Sequence, residues 1–102
     1  MIKKLFKKKK DYLFLEKKST ACLVCNHIFE DNYSILYVAH DEDDGMWQFL
    51  CGKENHSADD ARIISLEEAV TLDPSINGLH DMPLGIGAER STKNTEWKAF
   101  KL

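Results

Sequence analysis

The apolar positions of this chain fall in short runs separated by polar turns, a strand-like rhythm for most of its length. Tyr12–Leu15 reads YLFL, and Ala21–Phe29 reads ACLVCNHIF, both apolar with β-branched or aromatic members. A polar turn, EDNYS, leads into Ile35–His40 (ILYVAH). The segment DEDDG then ends in Asp-Gly, where glycine supplies the positive φ of a tight hairpin turn. Met46–Cys51 (MWQFLC) is the returning strand, and Ala61–Ile64 (ARII) is a further short one. Ser65 followed by Leu66, Glu67 and Glu68 is a capping-box pattern and predicts a helix over Leu66–Leu72. Asp73-Pro74 restarts the chain for one turn through Leu79. A loop, PLGIG, and an extended segment around Trp97–Phe100 complete the pattern. Strands lead and helix follows, which predicts an α+β fold: a small antiparallel sheet with one or two short helices late in the chain.

Composition narrows the class. At 102 residues, one domain is the default. With 43% hydrophobic and 30% charged residues, the chain has the make-up of a folded globule. No run of about 18 apolar residues is present to span a membrane. The opening MIKKLFKKKK lacks the apolar stretch and cleavage site of a secretory signal. With three cysteines, an odd number, the expectation is reduced thiols in a cytoplasmic protein. Residues 1–18 hold eight lysines against Asp11 and Glu16, a net of +6, which leaves −9 on residues 19–102. The expected organisation is a basic leader over 1–18, a partly ordered extension, and a single α+β domain over 19–102. An acidic body argues against nucleic acid as the main ligand, because phosphate neutralisation needs clustered Lys and Arg.

Few constellations carry chemistry. Cys22-x-x-Cys25 has no second pair to complete a zinc knuckle and no helix start to make it a redox pair. A metal set can be assembled from Cys25, His27, His40, Cys51 and His56, the ligand types zinc favours. Cys25 and His27 are two apart, so a continuous strand would place them on one face. The DEDDG segment fails as a calcium loop, since its glycine stands fifth from Asp41 and Gly52 occupies the position of the bidentate acid. No serine sits in a glycine elbow, and Gly85-x-Gly87 lacks a dinucleotide fingerprint. The expectation is a non-catalytic protein with no obligatory cofactor. The surface to test for a partner is Asp41, Glu42, Asp43 and Asp44 with Asp59 and Asp60. Trp47 is either its aromatic anchor or a core residue with its N–H near an edge.

Three segments resemble a known family: CLVCNHIFED at Cys22–Asp31, YVAHDEDDGMWQFLCG at Tyr37–Gly52 and ISLEEAVTLDPSINGLHDMPLGIGAER at Ile64–Arg90. Together they resemble bacterial immunity protein family 33, formerly catalogued only as a domain of unknown function. The likeness covers roughly residues 20–100 and leaves the basic leader outside. It implies an α+β domain of a polymorphic toxin system that binds and neutralises a protein toxin. The family's tryptophan corresponds to Trp47, and no catalytic residues carry over. The alternative reading is a small zinc-binding structural or regulatory module.

Overall fold

The computed structural model describes residues 12–30, 33–52 and 61–102. Six strands among them form one sheet: β1 (Ala21–Cys25), β2 (Tyr37–His40), β3 (Trp47–Leu50), β4 (Ala61–Ser65), β5 (Ile86–Glu89) and β6 (Lys98–Lys101). Two short α-helices, α1 (Asn26–Glu30) and α2 (Leu66–Leu72), and a 3-10 helix over Pro74–Leu79 complete the elements. The strand order is β4-β1-β3-β2-β5-β6. All neighbours are antiparallel except β1 and β3, which run parallel with Leu23 opposite Gln48 and Val24 opposite Phe49. The fold is α+β. No helix among the described residues is long and apolar enough to cross a membrane.

The hairpin forms where Asp-Gly predicts it. β2 and β3 pair from Tyr37 opposite Leu50 to His40 opposite Trp47. Gly45 adopts φ 74° and donates its N–H to the Asp41 carbonyl at 2.9 Å. An L side chain there would sit in a backbone region it rarely adopts.

Alternation along the strands sends Val24, Val38, Trp47, Phe49 and Ala88 to one face of the sheet. Leu66, Ala69 and Val70 of α2 pack there, with Ile76, Leu79 and Met82 following. Ser65 caps α2 as its sequence predicts, its Oγ accepting the Glu68 N–H at 3.1 Å. Ser65→Ala is expected to cost about 1 kcal/mol, a fall in Tm of about 4–8 °C by differential scanning calorimetry, and Ser65→Asp should retain most of the cap.

Two local readings change. The run Ala21–Phe29 is not one strand. β1 pairs with β4 as far as Cys25, opposite Ala61, and the chain then turns into α1. Arg62 Nε donates to Asn26 Oδ1 at 3.0 Å, and its guanidinium lies over the Phe29 ring at 4.3 Å. A short apolar run does not distinguish strand from buried helix by pattern alone. Tyr12–Leu15 is also not a strand. Leu13 N–H donates to Asn77 Oδ1 at 3.1 Å, Phe14 enters the core, and Leu15 is 94% exposed.

The other face of the sheet is more open. The registers place Ile63, Leu23, Gln48, Ala39, Gly87 and Phe100 in one row across it. Ile63 is 66% exposed, and Leu23, Tyr37, Leu50 and Phe100 are half-buried. A Cβ built on Gly87 would lie 2.8 Å from Phe100 Cζ and 2.9 Å from Leu102 Cδ2. Glycine here lets those two side chains settle onto the sheet.

Candidate functional site

Three of the five predicted metal ligands come together. Cys25 closes β1, His27 stands on α1, and Cys51 directly follows β3. Because β1 and β3 are parallel neighbours, their carboxyl ends emerge at the same edge, and Cys25 Sγ lies 3.6 Å from Cys51 Sγ. His27 is not on a strand face with Cys25, as even spacing would have it. The first turn of α1 nonetheless carries its Nδ1 to 3.0 Å from Cys25 Sγ. The three ligand atoms all lie within 4.8 Å of one another. The His27 ring stacks on Tyr33, with centroids 5.9 Å apart.

The thiols differ in character. Burial pushes the Cys25 thiol up, but hydrogen bonds with the ring and backbone of His27 and with the backbone and sulfur of Cys51 outweigh it, leaving the thiol below its ordinary value. Cys22 sits deep in the core near Glu68, and burial pushes its thiol up to about 12. Cys22 is a packing residue, and none of the three cysteines forms a disulfide.

His40 is excluded from the cluster. The hairpin register puts it opposite Trp47, at the far end of the β2–β3 ladder from Cys51. There it is buried, its ring stacked on the Trp47 indole at 3.9 Å between centroids. Its Nδ1 lies 2.8 Å from the Met82 carbonyl, which only accepts, so Nδ1 carries the proton. Its Nε2 faces Glu16 Oε2 at 3.7 Å. His56 lies outside the described residues.

Trp47 is a correction to the partner surface. It is 1% exposed and so offers no anchor to a partner. Phe14 packs edge-on against it at 4.9 Å, and Phe49 stacks parallel to it at 6.0 Å. Its indole N–H donates to Glu16 Oε2 at 2.9 Å, the polar partner a buried indole requires. By charge Glu16 belongs with the basic leader, and nothing in its spacing marks it as a partner for the tryptophan 31 residues on.

The acidic turn does reach the surface. Glu42, Asp43 and Asp44 are exposed, and Asp41 is half-buried. Asp41 Oδ1 accepts the Asp43 N–H at 3.2 Å, and Asp44 Oδ1 accepts the Met46 N–H at 2.9 Å, so two carboxylates shape the turn they sit on. Asp41 Oδ2 also accepts from Gln48 Nε2 at 3.5 Å. That contact ties the turn to the open sheet face, where Tyr37, Ala39, Asp41, Gln48, Leu50 and Leu102 line a shallow depression. Asp59 and Asp60 lie outside the described residues.

One residue with no marking pattern in the sequence proves structurally central. Arg90, buried just after β5, donates through Nε and one terminal nitrogen to the Ile35 carbonyl at 3.0 and 2.8 Å. The same terminal nitrogen meets Asp73 Oδ2 at 3.0 Å, and the guanidinium lies over the Trp97 ring at 4.0 Å. Asp73 meanwhile caps the 3-10 helix through the Ser75 N–H at 3.1 Å. These contacts hold an element end in place and present no reacting group.

Comparison with known proteins returns no matching family model, no matching curated protein and no matching solved structure.

Proposed function

We propose that this domain is a non-catalytic binding module that takes a basic protein partner on its open sheet face and acidic turn, in the manner of an immunity protein neutralising a toxin. The observation that carries the reading is the junction of the two features: the Asp41–Asp44 turn borders a partly exposed apolar face and is joined to it through Asp41 and Gln48. An apolar centre with a charged rim is the usual anatomy of a protein interface. The acidic body, −9 over residues 19–102, favours a basic surface and speeds its approach. The quoted segment likeness to immunity protein family 33 points the same way and supplies the toxin as the class of partner.

The test is co-expression of the full chain with the toxin encoded beside its gene. Growth should be restored by the native chain. The pair Asp43→Lys and Asp44→Lys should slow association about tenfold or more at low salt, with the difference shrinking as salt rises. Cells that die despite abundant folded protein would overturn the reading.

A further inference from the structure

We propose that Cys25, His27 and Cys51 form a Zn²⁺ site, with the two thiolates and His27 Nδ1 filling three of the four positions of a tetrahedron. Zinc–sulfur bonds of about 2.3 Å and a zinc–nitrogen bond of about 2.0–2.1 Å put tetrahedral ligands about 3.8 Å apart for S···S and about 3.5 Å apart for S···N. The pair Cys25–Cys51 stands at 3.6 Å and Cys25–His27 at 3.0 Å, with all three atoms inside 4.8 Å. Insertion of the ion therefore asks Cys25 and His27 to part by about half an ångström and His27 and Cys51 to close by about 1.3 Å at most.

The charge count also fits. Zn²⁺ displaces the two thiol protons, and two thiolates with a neutral imidazole leave the site with no net charge. A neutral assembly is tolerated at a place where both sulfurs are buried. The backbone is arranged for it. Both cysteines sit where parallel strands end, and α1 begins at the next residue, turning His27 toward them. The site lies at the opposite end of the β2–β3 ladder from the acidic turn, so it stands or falls independently of the partner reading. Cys22 is three residues away in sequence but belongs to the core below the sheet, which makes it an internal control.

The experiment uses the full chain, stripped with chelator in a phosphine reductant and then titrated with Zn²⁺ alone and, separately, with Co²⁺. One equivalent of Zn²⁺ should bind. Co²⁺ should give the thiolate-to-metal charge-transfer band and the intense visible bands of a tetrahedral site. Loss of a direct ligand should exceed the tenfold to about 100-fold cost of losing an outer partner, so Cys25→Ser and Cys51→Ser should each weaken uptake by about 100-fold or more. His27→Gln alters a half-buried side chain on a short helix. It keeps the test open if a cysteine variant fails to fold, and as loss of a direct ligand it too should weaken uptake by about 100-fold or more. Cys22→Ala should leave uptake unchanged. The proposal is overturned if the cobalt complex lacks a thiolate band, if His27→Gln and Cys51→Ser bind as the native chain does, if Cys22→Ala abolishes uptake, or if Cu⁺ binds where Zn²⁺ does not.

Discussion

Trp47→Ala is expected to cost about 4 kcal/mol, within the range of about 3–5 kcal/mol for deleting a buried large aromatic. A domain of this size is held by about 5–15 kcal/mol in all, so much of the population should unfold at modest urea. Trp47 is the largest of the fully buried side chains, and it contacts Phe14, His40 and Phe49 at once. Its removal opens a cavity among the side chains of Phe14, His40 and Phe49. It also strips the Glu16 carboxylate of its indole donor, leaving Oε2 without the 2.9 Å bond while Oε1 already lacks a described partner. Trp47→Phe separates these effects. It keeps most of the packing and loses only the N–H and part of the ring, so about 1–2 kcal/mol is expected. Urea titration followed by Trp97 fluorescence measures both. A cost below about 1.5 kcal/mol for Trp47→Ala would contradict the burial described above.

Arg90→Ala should be nearly as severe, about 3 kcal/mol, because it removes a buried guanidinium from a carbonyl and from a half-buried carboxylate. The side chain satisfies the Ile35 carbonyl and meets Asp73, and truncation leaves both without their donor. The Ile35 carbonyl would then be stranded beside the core, and the 3-10 helix would lose its tether to the sheet. Arg90→Lys should recover less than half, because an ammonium cannot reproduce the planar fork that reaches Ile35 and Asp73 together while lying on Trp97. Combining Arg90→Ala with Asp73→Ala gives a double-mutant cycle. A coupling energy near zero would show that the 3.0 Å contact carries no stability of its own.

The two residues with the largest expected effects are not equally visible in the sequence. Trp47 stood out by size and by its place in an alternating strand, but whether it faced the core or a partner depended on what covered it. Phe14 and Glu16, from the segment before β1, and His40, from the facing strand β2, cover it. Arg90 had no visible pattern, because an arginine before a polar loop reads as solvated surface unless a carbonyl and a carboxylate happen to converge on it.

The candidate metal set divides along the same line. Five residues of suitable chemistry were recognisable. The structure keeps Cys25, His27 and Cys51, sends His40 to the opposite end of the hairpin, and leaves His56 outside the described residues. The selection follows from register. Cys51 is carried by the hairpin strand, and only the parallel pairing of that strand with β1 brings it beside Cys25, 26 residues earlier.

What the chain alone determined is therefore local. Asp44-Gly45 specifies the turn because glycine tolerates its positive φ. Ser65 and Glu68 specify the start of α2 because a hydroxyl three residues upstream meets an unpaired amide. The apolar rhythm specifies α+β and most of the core. These signals act within a few residues, where backbone geometry is set by the side chains themselves. The tertiary structure alone decided that β1 lies parallel to β3, that α1 breaks the run after Cys25, and that Trp47 faces Glu16 and His40 instead of a partner. Each of those outcomes depends on which distant segment supplies the neighbouring hydrogen bonds and the covering apolar surface. No spacing along one stretch of chain encodes that choice.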